Sequence, residues 1–193
     1  GIEHADLLHI PKTLVLCPDI FDEFMETNDL YGIAMSDMSD EEMLTCFLRG
    51  RLPHRLLADL EVFIDVVKSP LAIRSSSLLE DSHYQPFAGI YSTYMIPYDE
   101  DKYCRLEMLS NAIKGVYASV YFHGSKDYMT ATSNVIDQEK MAVILQEVVG
   151  REYGKRFYPN VSGVARSLNY YPIGEEKAEE LRKGIIYGEN KSR

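Results

Sequence analysis

No apolar run in the 193-residue sequence is longer than about five residues, the stretch 141–145, against the roughly 20 that a membrane-crossing helix requires. No basic-then-apolar leader opens the chain, so a secretory signal is not expected. Cysteine is scarce. Cys17, Cys46 and Cys104 stand far apart with no CxxC spacing, which excludes a zinc ribbon and a disulfide framework and makes a reducing cytoplasm the expected compartment, with the thiols buried among apolar neighbours. The five histidines show neither HExxH nor any other ligand spacing, so no metal site is expected. Positive charge is also short, with 20 Lys and Arg against 30 Asp and Glu and a net charge of −10. Such a surface repels nucleic acids and anionic membranes, so any anion site must be local, built from a few placed donors. Internal repeats and low-complexity segments are missing as well, which excludes a solenoid.

What is present suits a soluble globular domain: 46% of residues are apolar, enough to bury a core at this length. Ile10-Pro11-Lys12-Thr13-Leu14-Val15-Leu16 reads as a strand, and Pro18 then opens a helix with Ile20, Phe21, Phe24 and Met25 on one face. Ser39-Asp40-Glu41-Glu42 has the Ser-x-x-Glu form of a capping box ahead of Met43, Leu44, Phe47 and Leu48. Pro53 opens a third helix that buries Leu56, Leu57, Leu60, Phe63, Ile64 and Val67, and Ser69-Pro70 stops it. A strand is expected over 71–73 and another over 88–96. Leu106, Leu109, Ile113, Val116, Tyr117 and Val120 repeat at three and four along a long helix between Asp101 and Phe122, with Gly115 its one weak position. Residues 141–149 read as a strand buried on both faces, and 161–165 as a strand beside it. From Gly174 the chain turns polar, and residues 174–193 are expected to be a loosely held tail. Uneven mixing of strands and helices points to an α+β arrangement, a mixed sheet with packed helices over residues 1–173.

The chemistry concentrates between Leu71 and Thr93. A short strand delivers Arg74 into three hydroxyls, Ser75, Ser76 and Ser77, and Gly89 and Thr93 return to the same neighbourhood after a turn. A guanidinium at a strand end can fork across two phosphate oxygens, or it can pair with Glu80 or Asp81. The serines can bond phosphate or cap a turn. Gly89 permits close backbone approach, and on a strand Thr93 would share its face. Gln146, Glu147 and Val148 close the buried strand, where backbone groups could meet a flat base.

Ala72-Ile73-Arg74-Ser75-Ser76, then Glu80-Asp81, Phe87-Ala88-Gly89 and Thr93-Tyr94, in that order and spacing, resemble the nucleotide-binding domain of pyruvate phosphate dikinase and phosphoenolpyruvate synthase. Ala142-Val143-Ile144-Leu145-Gln146 and Ser162-Gly163-Val164-Ala165 are similar to two further blocks of that family. The resemblance implies a partial ATP-grasp fold that holds ATP between two lobes and passes a phosphoryl group to a histidine on a separate phosphohistidine domain. It implies that Arg74 contacts the transferred phosphates, that Gly89 and Thr93 line the phosphate end, and that Gln146 with its neighbours Glu147 and Val148 holds the adenine; Ser75 and Ser76, inside the matching block, are the candidate hydroxyl ligands beside them. ATP and Mg²⁺ are the implied cofactors, with the metal ligands outside this chain.

Departures accompany the match. The family's glycine-rich loop with its lysine is not found, and Lys12 is no substitute. Its late acidic strand and Gln-x-Arg run are not found either. Ile90 replaces a usual glutamine and Arg166 a usual aromatic. The chain is therefore expected to be a piece of a larger phosphotransferase, inactive by itself. Two alternatives are a degenerate, non-catalytic ATP-grasp-like interaction module and a small binding domain whose Arg-Ser-Ser is only a turn.

Overall fold

The computed structural model describes residues 10–77, 89–131, 140–154, 156–159, 161–166 and 185–189. The chain divides into two compact units, Gly1–Val148 and Val149–Arg193. In the first, β1 (Thr13–Leu16), β2 (Leu71–Ser77), β3 (Tyr94–Ile96) and β4 (Met141–Glu147) form one sheet in the order β1-β4-β2-β3. The expected α+β class holds, and every described pair is antiparallel where a mixed sheet was expected. Among the described residues six helices accompany the sheet: α1 (Pro18–Thr27), α2 (Tyr31–Ala34), α3 (Asp40–Arg49), α4 (His54–Val66), α5 (Lys102–Ser119) and α6 (His123–Ala131).

Strand alternation divides the sheet into two chemically different faces. Leu16, Leu71, Ile73, Ile96, Met141, Val143 and Leu145 are buried on one of them. Against it lies α5, which packs on β2, β3 and β4 and on its other sides meets α3 and α4. Leu109, Ile113, Val116 and Tyr117 of α5 are fully buried. The Tyr117 ring meets Phe21 edge-on at 5.1 Å and Phe24 at 5.5 Å. Each such side chain removed from water contributes about 1.5–3 kcal/mol, so this face carries most of the fold's stability. The other face was expected to be buried too at β4; instead Ala142, Ile144 and Gln146 are only half-buried.

Local signals set the helix starts. Ser39 Oγ accepts from the Glu42 N–H at 3.3 Å while the Glu42 carboxylate accepts from the Ser39 N–H at 3.1 Å, which completes the capping box. Asp101 caps α5 by accepting from Tyr103 N and Cys104 N. Gly115, the weak helical position, is required by packing: a Cβ there would sit 2.7 Å from the Tyr94 ring.

Helix ends are closed by cations from distant segments. Lys114 Nζ donates to Leu48 O at 3.1 Å at the end of α3. Lys126 Nζ donates to Ser36 O at 2.8 Å just past α2. The last turn of α4 receives Lys12 Nζ on Val66 O at 3.1 Å and the Arg105 guanidinium on both Ile64 O and Val67 O at 3.0 Å. Arg105 is a buried cation whose counter-charge is the carbonyl end of a helix. Burial pulls its pKa below the usual guanidinium value, and the face of Tyr98, 4.7 Å away, offsets part of the cost. The sequence reading had not identified it.

Several expectations are corrected. β2 continues through Ser77, because the serines pair with Val143, Ala142 and Met141 of β4; they are strand residues, not a turn. The strand expected over 88–96 is only Tyr94–Ile96, since Gly89 takes φ +82 and the chain bends through the following residues. The cysteines are free but not buried: Cys17 is exposed, and Cys46 and Cys104 are half-buried.

In the second unit, β5 (Arg151–Tyr153) and β6 (Arg156–Tyr158) form an antiparallel pair. β7 (Ser162–Arg166) was expected beside β4, but both edges of β4 are taken by β1 and β2, and β7 pairs with β8 (Ile185–Glu189) instead. That pairing draws residues 185–189 out of the expected loose tail. Residues 174–184 and 190–193 lie outside the described residues.

Candidate functional site

The face of the sheet that the helices leave uncovered carries Thr13 and Val15 of β1, Ala142, Ile144 and Gln146 of β4, Ala72, Arg74 and Ser76 of β2, and Met95 of β3, by register and alternation. Val15 and Met95 are 51% and 63% exposed. Small and apolar side chains thus form a flat band interrupted by one cation and a few polar groups.

Arg74 is exposed in the middle of β2, opposite Ile144, rather than at a strand end. Among the described residues it makes no hydrogen bond or ion pair. Its alternative partners Glu80 and Asp81, and the family-like residues Phe87 and Ala88, lie outside the described residues. Ser76 shares its face, but Ser75 alternates to the helix-packed side with Ile73 and Ser77. Only one of the two proposed serine ligands therefore stands beside the guanidinium.

Thr93 is exposed and immediately precedes β3. Because Ile73 pairs with Tyr94, Thr93 falls at the register position next to Arg74. Thus the two come together through strand pairing, not through a face shared with Gly89. Gly89 lies four residues earlier in a turn, with a φ that only glycine adopts freely.

At the other end, Gln146 lies opposite Thr13 and Ala72. Its Nε2 donates to Thr13 Oγ1 at 3.3 Å, and that hydroxyl donates to Pro11 O at 3.0 Å. Glu147 does structural work. Its carboxylate accepts from Ser69 Oγ at 2.8 Å and Lys12 N at 3.2 Å. The N–H groups of Glu147 and Val148 donate to Lys12 O and Pro70 O, each at 2.9 Å. Of the backbone groups expected to meet a base, the N–H groups of Glu147 and Val148 are therefore already committed. The residue missed in the sequence is Thr13, whose place beside Gln146 follows from a pairing across 133 positions and has no local signature.

Among the described residues no three His, Cys, Asp or Glu side chains gather as metal ligands. The described residues of the uncovered face include no carboxylate, so they offer a magnesium ion no anionic ligand there. No described helix is long and apolar enough to cross a membrane.

The sequence matches the family of the pyruvate phosphate dikinase AMP/ATP-binding domain over residues 2–187. The chain belongs to that family. It is also 25% identical over 185 residues to the uncharacterized phosphotransferase YvkC of Bacillus subtilis (strain 168), covering 90% of this chain and 19% of that protein. The chain thus spans about a fifth of the length of this relative. Membership makes it an AMP/ATP-binding domain of a phosphotransferase family, and a planar cation on an open sheet face is chemistry suited to that ligand.

Proposed function

We propose that the uncovered sheet face is the ATP platform, with the phosphates at Arg74, Ser76 and Thr93 and the adenine toward Gln146. The observation that carries this reading is Arg74, an exposed guanidinium at mid-strand with no partner among the described residues, next to the Thr93 register position. Spacing supports it. Two strand separations and two residues along the strands put Gln146 about 12 Å from Thr93, a span that suits an extended nucleotide from base to phosphates. Arg74 would bind phosphate oxygens in pairs and stabilise the charge that shifts among them during transfer. Gly89 would let the turn before Thr93 approach the phosphates, and Glu147 would hold the platform's edge.

In the larger protein the domain would supply ATP to a phosphoryl transfer whose acceptor is a histidine on another domain. Magnesium would be held there by groups other than the described residues, and this chain alone would not turn ATP over. The test is a titration of the chain with magnesium-ATP followed by amide chemical shifts. Shifts centred on β2, β4 and the residues before β3, lost in Arg74→Ala, are expected. Shifts on the helical side, or a response unchanged in Arg74→Ala, would overturn the reading.

A further inference from the structure

The hydrogen-bond chain Gln146–Thr13–Pro11 fixes more than an orientation. A threonine hydroxyl has one proton to give, and Thr13 gives it to the Pro11 carbonyl, 3.0 Å away. Towards Gln146 it can then only accept, so the Gln146 amide must turn its NH₂ to Thr13. The Oε1 atom is left pointing the other way, an acceptor with no donor in the same chain of bonds. Pro11 cannot alter this arrangement, because its backbone offers the carbonyl and no N–H.

We propose that Thr13 is a specificity-determining residue for the nucleotide base, acting as a positioning residue that locks Gln146 as an acceptor and so selects a 6-amino purine over a 6-oxo purine. This rests on the ATP platform proposed above. An exocyclic amino group donates to a fixed Oε1. A 6-oxo group presents a second acceptor there, and two facing acceptors leave both oxygens unpaired. Without the Thr13 hydroxyl the amide is free to turn about its last bond and present NH₂ instead, which removes the selection. Gln146 by itself would not discriminate, since its amide carries both a donor and an acceptor.

The probes are ATP and inosine 5′-triphosphate, in which the 6-amino donor becomes a 6-oxo acceptor and N1 changes from acceptor to donor, each titrated into the whole chain by amide chemical shift. The expected result is tighter binding of ATP by about tenfold, a preference that falls to within about twofold in Thr13→Val. Thr13→Ser, which keeps the hydroxyl, retains it. Valine preserves the β-branched shape on β1, and a matching thermal midpoint checks that the strand survives. If Thr13→Val keeps the full preference while Arg74→Ala still abolishes ATP binding, the role of Thr13 is overturned and the platform stands. If the parent chain binds neither nucleotide, or binds ATP unaffected by Arg74→Ala, the platform and the role of Thr13 fall together.

Discussion

The two faces of the first unit's sheet are made from the same strands, often from adjacent residues, yet they do different work. Ile73 is fully buried against the helices, and Arg74, the next residue, is exposed on the opposite side. The comparison teaches that strand alternation alone separates core packing from exposed polar chemistry, residue by residue. A substitution on one side should be felt in unfolding, and a substitution on the other in binding.

The strongest challenge to that separation is Ile73→Ala. Removing a fully buried Ile should cost about 3 kcal/mol, read as a lowered denaturant midpoint with an unchanged m-value, and ATP binding should be lost only as the protein unfolds. Gly115→Ala comes next. Its new Cβ meets the Tyr94 ring at 2.7 Å, so about 2 kcal/mol should be lost, and the milder Tyr94→Leu should relieve the clash when the two changes are combined.

Tyr117→Phe sharpens the contrast within the buried side. The Tyr117 hydroxyl is buried with no hydrogen-bond partner among the described residues, so its removal should be neutral or raise stability by up to about 1 kcal/mol. Burial pushes the Tyr117 pKa well above its ordinary value. Its folded pKa therefore exceeds its unfolded one, and the stability tied to the protonated phenol is complete below about pH 10 and falls as pH rises beyond it. Alkaline unfolding of Tyr117→Phe should accordingly begin at higher pH than that of the parent chain. The smallest effect on stability is expected from Arg74→Ala, within about 0.5 kcal/mol. A larger loss there would show that the exposed face also holds the fold.

What could be read from the sequence was local. The capping box at Ser39 and Glu42, the helix opened by Pro18 and the three-and-four spacing of α5 act within one or two turns, and all three stand as expected. What could not be read depends on a remote partner. Ser75, Ser76 and Ser77 carry turn-forming side chains, yet their backbones pair with β4 and override that preference. Tyr91 alternates as a strand residue would and is buried, but the chain around it bends from Gly89 onward. β7 finds its partner in a segment whose composition reads as tail. At the site, Arg74 was visible from its setting and its family-like neighbours. The outward turn of Ser76 against the inward turn of Ser75, the committed N–H groups of Glu147 and Val148, and the place of Thr13 emerge only from register.

The carbonyl ends of α3 and α4 are finished by cations that arrive from far along the chain: Lys12 comes 54 positions from Val66 and Lys114 66 positions from Leu48. The Leu48 carbonyl of α3 gains its cation only when α5 docks, and the Ile64, Val66 and Val67 carbonyls of α4 gain theirs only when α5 and the segment before β1 have both docked. Amide protons in those last turns should therefore exchange with solvent in step with one another, through a single opening of the whole helical layer, where ordinary helix ends would fray independently.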